Sequence, residues 1–202
     1  MVSKLLPIVL ISLTLSGCFS TPAIQVNNIC HLMDEKVSWY QAVKASEKKY
    51  AIPMHVQLAI MYQESHFASN ARPPKDKLFG ILPWFRKSSA YGFAQIRDIT
   101  WEWYQLKTGN QNINRDNFDD AINFIGWYAN QSSKRSGIDK SDTYNQYLAY
   151  HEGHSGFNKQ TYLAKPWLIK IAAGVDDNAK RYKHQLKQCV PQLDNNNIWR
   201  LF

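Results

Sequence analysis

The sequence predicts an all-α single domain, on three observations. Apolar residues recur three and four apart along most of the chain, helix-breaking residues gather in one interval, and strand signals are nearly absent. The 202 residues are enough for one substantial core. No composition break, internal repeat or low-complexity tract calls for a second domain.

The N-terminus stands apart from the fold. Lys4 precedes an apolar stretch from Leu5 to Leu15, too short to span a bilayer as a helix and of the length of an export-signal core. It ends in Leu15-Ser16-Gly17-Cys18, which resembles the lipobox of bacterial lipoproteins. That resemblance implies a signal peptide over 1–17 and lipid on Cys18, with an ordinary secretory signal as the alternative. Phe19, where an Asp would resemble an inner-membrane retention signal, points to the outer membrane, with the protein facing the periplasm. The lipid would tether the domain to a surface without spanning it. Loss of residues 1–17 removes Lys4 and no acid, so the formal charge of +8 becomes +7. A basic, aromatic-rich exported domain calls for an anionic partner such as a cell-wall polymer or lipid headgroups. No basic run of nucleic-acid type occurs, so nucleic acid ranks last. With Cys18 lipidated, Cys30 and Cys189 remain, and an even pair in an oxidising compartment favours a disulfide over two buried thiols.

Residues 18–33 carry the lipidated Cys and a segment read as a tether, and 34–202 form the domain. Asp34 is the expected cap of a helix to about Tyr50, with Val37, Tyr40, Val43 and Lys44 at helical spacing. Pro53 suits the first turn of the next helix, about Pro53 to His66. Its stretch Leu58-Ala59-Ile60-Met61-Tyr62 has no polar face, which places it at the centre of a core. Residues 70–89 contain Pro73, Pro74, Gly80 and Pro83 and read as loop. Helices follow over about 98–107, 118–134 (capped by Asp116 or Asn117), 142–151 and 166–187, with a weak point at Gly174.

Glu64 ends the apolar helix, in Tyr62-Gln63-Glu64-Ser65-His66-Phe67. Cleaving a glycoside needs an acid that is still protonated near neutral pH. A carboxyl group desolvated at such a helix end has its pKa raised. Many glycosidases use a second carboxylate; the candidates Asp98, Glu102 and Glu152 stand in no compelling pattern. His151-Glu152-Gly153-His154 spaces two histidines three apart, whereas the zinc-protease helix needs four, and no third ligand is evident. No metal or cofactor is expected.

Three motifs in order then carry a family resemblance. Glu64-Ser65-His66-Phe67, Gly92-Phe93-Ala94-Gln95 and Ala149-Tyr150-His151-Glu152-Gly153 resemble the Glu-Ser-x-Phe, Gly-Leu-Met-Gln and Ala-Tyr-Asn-x-Gly motifs of soluble-type (SLT-like) lytic transglycosylases. Asp120 to Tyr128 looks like the family's connecting helix, and Tyr182 falls where a late Tyr is often found. The resemblance spans about Pro53 to Leu186. It implies a lysozyme-like fold, a fold shared with goose-type lysozymes, and peptidoglycan glycan strands as substrate. Glu64 would be acid and then base in cutting the MurNAc–GlcNAc β-1,4 bond, leaving a 1,6-anhydro-MurNAc end. Tyr150 would orient Glu64, Gln95 would hold an N-acetyl or hydroxyl group, and Gly92 would let backbone approach a sugar. Ser65 and His151 complete the substrate-binding set, Ser65 with a structural role as its alternative. The substrate-positioning serine of the family is not placeable among Ser69, Ser88 and Ser89. His151 replaces the usual Asn and introduces a group that ordinarily titrates near neutrality. The 70–89 segment, with Arg72, Lys75, Lys77, Arg86 and Lys87 beside Phe79, Trp84 and Phe85, reads as a lid or docking loop, or as a solvated loop with its aromatics folded onto the core. Trp39 and Trp127 read as core, and Trp101 and Trp103 as candidates for lining a cleft. The alternatives in function are a hydrolytic muramidase and a non-catalytic wall-binding lipoprotein.

Overall fold

A computed structural model describes residues 24–78 and 81–199, so the signal peptide, Cys18, the start of the tether and Phe79 lie outside the described residues. The described chain is all-α apart from a small ribbon. Its helices are α1 (Ile29–Glu35), α2 (Val37–Tyr50), α3 (Met54–Ser65), α4 (Asp98–Thr108), α5 (Phe118–Ser136), α6 (Thr143–Asn158) and α7 (Pro166–Trp199), with a 3-10 turn at Thr161–Ala164 before α7. None of these helices is long and apolar enough to cross a membrane.

The core is organised around α3. Val56, Leu58, Ala59, Ile60 and Met61 have no accessible surface, as the faceless apolar run requires. Helices α2, α5, α6 and α7 all pack against it. One polar side chain on α3, Gln57, is fully buried and fully occupied. Its Oε1 accepts from Ser46 Oγ of α2 at 2.7 Å, and its Nε2 donates to the Ile52 carbonyl at 2.7 Å. This junction closes only because α5 presents Gly126 there: a Cβ would lie 2.3 Å from Ser46 Oγ.

Among the described residues, packing extends upstream of the expected boundary at 34. Ile24 N–H donates to the His66 carbonyl at 2.9 Å, and Val26, Ile29, Leu32 and Met33 are buried. Asn28, not Asp34, caps the first helix, its side chain accepting from Cys30 N–H at 2.9 Å. The last helix also outruns its expected end near 187. It passes Gly174 unbroken and continues through Pro191, where tertiary ties hold it: Leu193 is buried, and Asp194 accepts from Tyr40 Oη at 2.6 Å and pairs with Lys44. The described residues of the 70–89 segment are loop except for two-residue strands β1 (Lys77–Leu78) and β2 (Leu82–Pro83), paired antiparallel. Ile81, Trp84 and Phe85 of this segment are exposed, so these side chains are not folded onto the core.

Cys30 of α1 and Cys189 of α7 form a disulfide that ties the first helix to the last across 159 residues. Cross-linking so long a loop removes much of the unfolded chain's freedom, typically about 2–4 kcal/mol of stability. Reduction, or Cys30→Ser with Cys189→Ser, is expected to lower Tm by roughly 5–15 °C in a thermal melt with and without reductant. An unshifted Tm would show that the native contacts alone hold the two ends.

Candidate active site

Helix α3 stops where the candidate acid sits. His66 closes it in the left-handed region (φ 50°), and Phe67 follows at φ 59°. Two successive non-glycine residues there are costly. Burial of the Phe67 ring against Trp39 and Tyr62 offsets that cost. The reversal leaves Glu64 in the last turn, half-buried, facing a groove of about 550 Å³.

That groove is assembled from every motif. Glu64 comes from α3; Gln95 and Ile96 from the turn before α4; Phe124 and Tyr128 from α5; Tyr150, His151, Glu152 and Gly153 from α6. Pro73, Ser88 and Ala90 of the 70–90 segment complete one part of the wall, with Arg97 and Thr100 beside them. Of the three candidate serines it is Ser88 that lines the groove. Ser89 Oγ instead accepts from Asp98 N–H at 3.1 Å at the start of α4.

Burial raises the Glu64 carboxyl to about 7, while a hydrogen bond from Tyr147 pulls the other way. Tyr147 was not singled out by the sequence. It lies one helical turn before Tyr150, so the two rings share a face of α6. Tyr150, expected to hydrogen-bond near Glu64 and orient it, donates its hydroxyl to the Ala94 carbonyl at 2.6 Å, pinning α6 to the second motif. Tyr150 still lines the groove, close enough for the Glu64 charge to raise its own pKa, after burial.

The second carboxylate of the groove has the opposite character. The Glu152 side chain is only 4% exposed, and burial alone would raise its pKa. Lys165 Nζ at 2.7 Å, Thr161 Oγ1 and His151 Nδ1 at 3.0 Å outweigh burial and hold it at about 2. Both of its oxygens are therefore occupied. Asp98 pairs with Arg115 at 2.7 Å; neither it nor Glu102 lines the groove.

Two other expectations change. Gly92 is buried and lies away from the groove; at φ 80° it lets the Arg115 backbone through, and a Cβ would sit 2.0 Å from the Arg115 carbonyl oxygen. The close approach it permits is to protein, not to a sugar. Ser65 is buried with Oγ donating to the Met61 carbonyl at 3.3 Å, which is its structural alternative. Gln95 does line the groove, but its Nε2 is committed to the carbonyls of Ala71 (2.8 Å) and Gly92 (2.9 Å), leaving Oε1 for a ligand. His154 belongs to the core, stacked on Tyr128 with Nε2 3.1 Å from Ser132 Oγ, and burial lowers its pKa to about 4. Trp101 and Trp103 also pack inward, Trp103 against Trp127 at 4.5 Å, and Tyr182 is buried edge-on to Tyr62. Among the described residues, no three His, Cys, Asp or Glu side chains are grouped to hold a metal ion.

A helical domain with a buried carboxyl group at a helix end, opening on a groove, defines the lysozyme-like class. Within that class the chain matches the transglycosylase SLT domain over residues 6–189 and belongs to this family. No curated protein and no solved structure matches the chain. Family membership assigns a peptidoglycan-related function of lytic-transglycosylase type, acting on glycan strands.

Tyr147→Phe tests the geometry around Glu64. It removes a hydrogen bond that favours the carboxylate, so the pKa of Glu64 rises and the alkaline limb of a pH–rate profile on sacculi moves upward, by up to about one pH unit. A limb that stays in place or moves down would remove Tyr147 from contact with the acid.

Proposed function

We propose that the protein is a peptidoglycan lytic transglycosylase in which Glu64 is the only carboxyl group that moves protons. The observation that carries this reading is the contrast between the two groove carboxyls. Glu64 is dehydrated and half protonated near neutrality, while Glu152 is ionised with both oxygens engaged. A groove with one usable carboxyl group favours chemistry in which a single residue serves twice.

In the first step Glu64 gives its proton to the oxygen linking MurNAc to GlcNAc, and the bond from that oxygen to the muramoyl anomeric carbon breaks. The carbonyl oxygen of the muramoyl N-acetyl group bonds to the electron-poor carbon. In the second step the Glu64 carboxylate takes the proton of the same sugar's 6-hydroxyl. That oxygen attacks the anomeric carbon, the N-acetyl oxygen leaves it, and a 1,6-anhydro ring remains. No water is consumed, and Glu64 ends protonated as it began. Gln95 Oε1 is suited to receiving an amide or hydroxyl hydrogen of the sugars, and His151 to hydrogen-bonding with them. The reading also includes lipidation of Cys18, which would hold the domain at the outer membrane facing the periplasmic wall.

Glu64→Gln keeps the shape of the side chain and removes the transferable proton. Release of muropeptides from purified sacculi is expected to fall by about 10²–10⁴-fold, while binding to sacculi persists. Mass spectrometry of the wild-type products should show ends lighter by one water than hydrolysis gives. Hydrated ends would identify a muramidase, and equal lysis by the variant would remove Glu64 from the reaction.

A further inference from the structure

We propose that Trp167 and His151 form an additional sugar subsite, which carries the glycan strand onward from the groove. The proposal rests on the reading of this groove as glycan-cleaving.

Trp167 is the second residue of α7, and its indole is 53% exposed. A single exposed tryptophan needs no explanation by itself; its position beside the groove does. The ring stands edge-on to the His151 imidazole, with centroids 5.3 Å apart and planes at 78°. His151 lines the groove, and Trp167, which does not, is in ring contact with it. A polymeric substrate must leave a cavity of this size, and a strand leaving past His151 meets an aromatic face. The apolar C–H face of a pyranose ring packs on such a surface.

The platform is braced from beneath. Glu152, next to His151 in sequence, accepts from Lys165 and Thr161, so the segment leading into α7 is clamped to α6. Leu168, immediately after the tryptophan, is fully buried, and its N–H donates to the Lys165 carbonyl at 2.9 Å. Trp167 thus projects from a fixed stretch of backbone. The same carboxylate sets the chemistry of the imidazole: with Glu152 Oε1 3.0 Å from Nδ1, that nitrogen carries the hydrogen. Nε2 is then the ring nitrogen left to meet a sugar hydroxyl or acetamido group. An aromatic face and a polar ring nitrogen side by side fit the two chemical faces of an N-acetylated hexopyranose.

The test compares purified peptidoglycan glycan strands of defined length, long against the shortest that wild type cleaves. For Trp167→Ala, kcat/KM is expected to fall about tenfold more on long strands than on the shortest, and Trp167→Tyr should recover most of the difference. Affinities measured by calorimetry in the Glu64→Gln background should show the same dependence on length without any cleavage. Equal losses at every length, or no loss, would overturn the subsite. Wild type that binds strands with this Trp167-dependent length preference but cuts none would leave the subsite standing and sink the catalytic reading instead.

Discussion

Everything in this molecule depends on keeping the end of one helix dry. Helix α3 is buried on every side from Val56 to Met61, and the carboxyl group in its last turn is desolvated by the same core. An ionised carboxylate there loses most of its hydration, so the proton stays on to a pH that no exposed glutamate would sustain. The surrounding helices are arranged to preserve this. Gly126 admits α5 against α2 and α3, and the left-handed pair His66–Phe67 turns the chain away before Glu64 can be carried into solvent.

The groove separates two glutamates of the same intrinsic acidity by their surroundings alone. Burial acts on both, but one receives a single tyrosine hydroxyl while the other receives an ammonium, a hydroxyl and an imidazole. The first remains a proton carrier; the second becomes a fixed anion whose work is mechanical, joining α6, the 3-10 turn and the start of α7. Local hydrogen bonds, rather than depth, decide which carboxyl group is available to a substrate.

Much of this was legible in the sequence. The faceless apolar run located α3 and, with it, Glu64, because a helix lacking a polar side has nowhere to go but the centre. The cysteine pair, the helical order and the three motif segments also stood out by pattern. What escaped notice depended on contacts between distant segments. Which of Tyr147 and Tyr150 meets Glu64 is fixed by how α6 leans on Ala94, and no spacing rule contains that. Gly92 looked like a sugar-contact glycine because its partner, the Arg115 backbone, is far along the chain. The start of the fold was misjudged for a different reason. Ile29, Leu32 and Met33 sit at helical spacing within the segment read as a tether, and their burial shows only in the folded chain. The last helix runs past its expected end near 187 because of the ties at Leu193 and Asp194.

The bond between Cys30 and Cys189 carries a consequence for how the molecule is made. The wall of the core that covers α3 includes α7, the last helix to be synthesised, and the partner of the first helix's cysteine lies on it too. The bond, and the part of the cover that α7 lays over α3, therefore have to wait until α7 has been made.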